Sequence, residues 1–197
     1  MDKYFLISMF ILPLGIFALF CWIYGKASMI GYKFQKETIS KENYRRLILS
    51  SLKDMDGNDF EHFIAYIYSN RNYQVELTPA SHDLGVDVIV KRDGENATGI
   101  ECKCYNNSSI GSPVLLKLIG GLYLRHLKEG MIVTTSNYTR ELIASCPDFI
   151  KLYNTEDILH WCLEDSVDRI KLIEWLGYDL FDLEKKGYIN VDRYEVA

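Results

Sequence analysis

At 197 residues and a formal charge of −5, the chain has room for one domain with a real core plus an appendage, not for several domains. Its acidity argues against a protein that holds nucleic acid by bulk positive charge alone. The five cysteines (Cys21, Cys102, Cys104, Cys146 and Cys162) form no C-x-x-C pair and no metal-finger spacing, a pattern that suits a reducing compartment.

Residues 4–25, "YFLISMFILPLGIFALFCWIYG", carry no charge and lie between Lys3 and Lys26. As a helix this run would reach ~33 Å, enough to cross a bilayer's hydrocarbon. Tyr4, Trp22 and Tyr24 fall near its ends, where amphipathic rings favour the membrane interface. A cleaved signal peptide would have a shorter apolar core and a better small-residue site than "GKASM". The expectation is therefore a retained single-pass transmembrane helix. Residues 26–53 form a basic juxtamembrane connector of net charge +5. By the positive-inside tendency, that connector sets everything after it in the cytoplasm at the cell membrane. Such a segment also suits anionic headgroups.

The connector has helical character around "SKENYRRLILSSLKDM". In "DGNDFEHFIAYIYSNRNY", Phe60, Phe63, Ile64, Ile67 and Tyr68 make the stripe of an amphipathic helix, with Asn58 or Asp59 able to cap it. "YQVELTPA" and "VDVIVK" read as strands, "RDGE" as a turn and "TGIECKCY" as a third strand. A helix follows in "SPVLLKLIGGLYLRHLKEG", stopping at Gly130. Then come the strand "MIVTT", the helix "NYTRELIASC", the strand "FIKLYN" and a helix opened by Thr155. This order predicts an α/β domain over residues 54–163, with a mixed central sheet flanked by helices. Residues 164–197 add one more amphipathic helix, "SVDRIKLIEWLGYDLF", and an acidic tail.

The second and third strands carry the chemistry. Alternation puts Glu101 and Lys103 on one face of their strand, with Ile100, Cys102 and Cys104 on the other. The turn brings Asp87 back beside Glu101. Two carboxylates that meet this way need their repulsion relieved, and a divalent cation such as Mg²⁺ relieves it with oxygen ligands. Lys103 can orient a water or steady developing negative charge. A solvated Glu101–Lys103 ion pair, worth ~0–1 kcal/mol, is the plain alternative.

An Asp followed about a dozen residues later by Glu-x-Lys on a strand resembles the PD-(D/E)xK nucleases. With Phe60-Glu61 opening a helix, "NYQVE", the Gly85–Asp87 approach and "VTTSNYT", about 100 residues resemble the catalytic domain of Mrr-type restriction endonucleases. Many such domains carry Gln where this chain has Glu101. The resemblance implies a restriction-endonuclease-like fold and divalent-metal-dependent cleavage of DNA, in restriction of foreign DNA. Asp87, Glu101 and Lys103 would be catalytic. Asp87, Glu101 and the Cys102 carbonyl would hold Mg²⁺ or another divalent cation, and Glu61 would complete the site through water. No small-molecule cofactor is implied, and double-strand cutting would favour a homodimer. Lys91, Arg92, Lys117, Arg125, Lys128 and Arg140 are available to phosphates. Thr134, Thr135 and Ser136 could contact phosphate or cap a helix. The rival class is a non-cleaving DNA-binding or scaffold protein that keeps the fold.

Overall fold

The computed structural model describes residues 35–79, 84–105, 108–164 and 166–193. The expected transmembrane helix, residues 4–25, lies outside them. No described helix is long and apolar enough to cross a membrane. The chain divides into two units. One carries a two-stranded sheet of β1 (Gln35–Ile39) and β7 (Ile189–Arg193). The other runs from Ile39 to Tyr188 and holds the rest.

Ser40 opens α1 (Lys41–Asp54) by accepting the Asn43 N–H on its hydroxyl at 3.1 Å. Tyr44, Leu47, Ile48 and Leu52 recur at helical spacing and are buried. The Tyr44 hydroxyl donates to the Cys162 carbonyl at 3.1 Å, and Arg45 pairs with Glu156 at 2.9 Å. The carboxyl-terminal half of the basic connector is thus built into the larger unit, which extends past residues 54–163 at both ends.

Helix α2 (Gly57–Asn70) is capped by Asp56, whose carboxylate accepts the Asp59 N–H at 2.8 Å. Neither Asn58 nor Asp59 is the cap, because the helix begins one turn before the apolar stripe. Strands β2 (Gln74–Leu77), β3 (Val88–Lys91) and β4 (Thr98–Lys103) follow. Next come α3 (Ser112–Leu124), β5 (Glu129–Thr134), α4 (Arg140–Ser145), β6 (Ile150–Tyr153) and α5 (Thr155–Cys162). The five strands β2 to β6 pair in sequence order. Short connections make β2, β3 and β4 antiparallel; the crossovers through α3 and α4 make β4, β5 and β6 parallel. Central strand β4 is buried at every position except Lys103, as a strand covered on both faces must be.

Alternation along β5 identifies the covers. Ile132 packs with Leu115, Leu118 and Leu122 of α3, whereas Met131 accepts a 3.2 Å hydrogen bond on sulfur from Tyr68 of α2. Glu101 is the register partner of Ile132, so its side chain leaves the sheet on the α3 face.

Two expected helices are shorter than their sequence patterns. Helix α3 ends at Leu124, six residues before Gly130, because His126 adopts a positive φ of 58° and turns the chain into β5. Gly130 itself lies within β5. The single helix expected over 166–181 is two, α6 (Arg169–Trp175) and α7 (Leu180–Lys185). Gly177, at φ 83°, closes the first, and Asp179 caps the second by accepting the Phe181 N–H at 2.8 Å. Asn154, one residue before Thr155, caps α5.

Candidate active site

Asp87 lies just before β3, in line with its hairpin pairing to β4. Its N–H donates to the Ile100 carbonyl at 2.8 Å, and its own carbonyl accepts the Thr78 N–H at 2.9 Å. Its carboxylate Oδ2 accepts the Cys102 N–H at 2.7 Å, across to the strand of Glu101 and Lys103. Asp87 is 3% exposed and Glu101 is fully buried. The plain reading of a solvated surface pair therefore does not describe Glu101.

Lys103 Nζ makes a short contact with Glu101 Oε1, lies 3.7 Å from Asp87 Oδ2, and donates to the Cys102 carbonyl at 2.9 Å. One ammonium thus sits among the three oxygen-bearing groups that the sequence pattern nominates. A second ammonium, Lys117 Nζ, donates to Glu101 Oε1 from α3 at 3.3 Å. Glu101 Oε2 is buried and accepts no hydrogen bond from the described residues.

The electrostatics follow from burial. Asp87 is pushed up to about 7, first by removal from water and then by the Glu101 charge; Lys103 and the Cys102 N–H work against that rise, and Glu61 adds to it slightly. Burial alone would lower Lys103, but its hydrogen bond to Glu101 and the two carboxylate charges raise it, so it stays a cation. The Cys102 thiol is held well above its ordinary value by burial, which keeps it neutral. Glu61 is half-buried on α2, and its link to the cluster is the charge effect it exerts on Asp87.

Chain geometry enforces this arrangement. A methyl group on Gly85 (φ 88°) would lie 2.5 Å from the Lys117 carbonyl oxygen, and one on Gly121 would lie 2.3 Å from the Leu84 carbonyl oxygen. Only glycine lets the approach to Asp87 and helix α3 touch backbone to backbone, and that contact sets Lys117 over Glu101.

The donors suit a hard cation: two carboxylates, one with an unused buried oxygen, and a backbone carbonyl. Among the described residues, no three His, Cys, Asp or Glu side chains group closely enough to hold a metal by themselves. A cation here would need the Cys102 carbonyl and water as well. A separate cavity of about 640 Å³, lined by Asp59, His62 and Trp175 among others, includes none of the cluster.

Sequence reasoning treats Lys117 only as a candidate phosphate contact. The available signal is that it is the one charged residue in α3, "SPVLLKLIGGLYL". The residues of "TTS" hold the end of β4. Thr134 Oγ1 donates to the Lys103 carbonyl at 2.7 Å, and Thr135 Oγ1 accepts the Tyr105 N–H at 2.9 Å. Thr139, not these residues, caps α4.

No curated protein matches the chain. Among solved structures, the DNA modification-dependent restriction endonuclease AspBHI is similar in fold, with a TM-score of 0.53 at 20% identity. The match covers 68% of this chain and 39% of that one, so this chain spans well under half of AspBHI's length. A protein of unknown function, AF1548, aligns more loosely, with a TM-score of 0.43 at 18% identity over 68% of this chain and 80% of that one. Residues 52–162 match the family of Mrr catalytic domains, described as "Restriction endonuclease". That match takes in α2, the hairpin, Lys117 and the whole five-stranded sheet, more than half of the sequence, and the chain belongs to this restriction-endonuclease family.

Proposed function

We propose that the chain is a divalent-metal-dependent DNA endonuclease, acting in restriction of foreign DNA and held at a membrane by residues 4–25. The carrying observation is the buried Asp87–Glu101 pair on one hairpin, with Lys103 between them. Family membership supplies the nuclease class. The uncharged run of residues 4–25 and the basic residues after it support the anchor and a cytoplasmic catalytic domain.

Asp87, Glu101 and the Cys102 carbonyl would hold the cation, with Glu61 at the margin. When bound, a divalent cation supplies Lewis-acid polarisation of a phosphoryl oxygen and neutralises the carboxylate pair. The chain's own residues do the rest. Cys102 N–H fixes the orientation of Asp87. Lys103, kept protonated by its carboxylate neighbours, is a hydrogen-bond donor and not a base, so it steadies negative charge as it builds on the phosphate. Thr134 pins the Lys103 carbonyl and hence the end of the strand.

Incubating the full-length protein with supercoiled plasmid, with and without Mg²⁺, tests this reading. Mg²⁺-dependent nicking or linearisation is expected. Binding without cleavage in any divalent ion would instead favour the non-cleaving scaffold role.

A further inference from the structure

We propose that Lys117 is a second working ammonium of this site: a positioning residue that shares Glu101 with Lys103 in the metal-free protein and contacts a DNA phosphate once a divalent cation engages that carboxylate. The inference rests on the nuclease reading above and extends it to a residue outside the Asp and Glu-x-Lys pattern.

Three observations carry it. First, Lys117 Nζ and Lys103 Nζ both meet the same oxygen, Glu101 Oε1, of a fully buried carboxylate. Lys103 is 19% exposed and Lys117 is 44% exposed, so Lys103 is the inner ammonium and Lys117 stands at the rim. A group at the rim can reach a phosphate next to the one that the inner ammonium faces.

Second, the position is imposed and not incidental. The close backbone approach of Gly85 to Lys117 and of Gly121 to Leu84 fixes how α3 lies on the sheet. The same helix exposes Leu116, Tyr123 and Leu124 to solvent while it spends its only charge at the buried carboxylate. A lysine serving solubility would sit where those apolar residues are.

Third, the charges count out. Two ammoniums already face the two carboxylates of the metal-free cluster. A divalent cation among them leaves an excess of positive charge in a largely buried setting, and a phosphodiester is the anion that relieves it. Lys117 is the more exposed ammonium, so it is placed to turn outward to a phosphate beside the one being cleaved.

The test uses the full-length chain with Lys117→Met, which keeps the stem that packs on Gly85, and Lys117→Arg, which keeps the charge. Mg²⁺ affinity is measured by calorimetry without DNA. Binding of a short duplex is measured across salt concentrations in Ca²⁺. Lys117→Met should bind Mg²⁺ about threefold tighter or more, because one like charge has left the neighbourhood of the carboxylate. Its salt slope for DNA should fall by roughly 0.9, the loss of one phosphate contact. Lys117→Arg should resemble wild type in both. If wild type binds Mg²⁺ and DNA but Lys117→Met changes neither, or only one, the proposal is overturned while the nuclease reading stands. If wild type binds neither, the nuclease reading fails and this inference fails with it.

Discussion

Asp87 Oδ2 accepts the backbone N–H of Cys102 at 2.7 Å, so the buried carboxylate is fixed to the very strand that carries Glu101 and Lys103. The hydrogen bond orients Asp87 but does not overcome the cost of burying its charge, and its pKa stands at about 7 against an ordinary 3.8. A group with a raised folded-state pKa binds its proton more tightly in the folded chain. For a carboxylate, this contribution to stability is greatest at low pH and declines between about pH 4 and about pH 7, then stays flat.

Asp87→Asn removes that titration. In metal-free protein, the variant should gain stability relative to wild type as pH rises through this window. Thermal unfolding of both proteins across the pH series measures it. Parallel curves would mean that Asp87 ionises without penalty.

Gly85→Ala should destabilise the chain more than a left-handed backbone alone explains. Gly94 offers the control: its φ is 81°, close to the 88° of Gly85, yet a methyl group there would meet nothing within 4 Å. Gly94→Ala should cost about 1–2 kcal/mol from backbone strain. Gly85→Ala should cost clearly more and should also displace Lys117 from Glu101. Denaturant midpoints of the two variants give the comparison; equal costs would remove the close approach as a constraint.

Helix α1 should behave as part of the catalytic unit and not as a tether. Leu52→Ala should cost about 2–5 kcal/mol, as truncation of a buried leucine does. Tyr44→Phe, which removes the hydroxyl donor to Cys162, should cost about 1 kcal/mol. Both are read by chemical unfolding. Losses near zero would return this segment to the role of a connector.

The anchor makes a separate prediction. Full-length protein should sediment with membranes and resist alkaline carbonate extraction, and replacing Phe17 and Leu19 by Asp should release it. Recovery of the full-length wild type in the soluble fraction would contradict the anchor.

The parts of the fold legible in the sequence are those with a strong period or strong punctuation. The stripe from Phe60 to Tyr68 makes α2, and the "RDGE" turn between two apolar runs makes the β3–β4 hairpin. Helix ends were less legible, because His126 and Gly177 end helices through positive φ angles that the apolar pattern does not register. The pairing of Asp87 with Glu101 and Lys103 was readable, since hairpin geometry and alternation are local rules. Lys117 was not, because it reaches Glu101 only through a crossover whose closeness depends on Gly85 and Gly121. The burial of Glu101 was hidden for the same reason: it depends on what α3 lays over the sheet.

The central claim is that this cluster hydrolyses DNA with a divalent metal, and separation of roles at three positions tests it most directly. Plasmid cleavage and Mg²⁺ affinity are measured on the full-length wild type, Asp87→Ala, Glu101→Gln and Lys103→Ala. Asp87→Ala should lose both metal binding and cleavage, because a hard cation loses a charged oxygen ligand. Glu101→Gln still offers an oxygen and should keep part of the activity. Lys103→Ala should bind Mg²⁺ as well as wild type or better, yet lose cleavage by about 10²–10³-fold or more, as expected when a donor to developing charge is removed. Cleavage by Lys103→Ala at the wild-type rate would contradict the account and leave the buried cluster a structural ion pair.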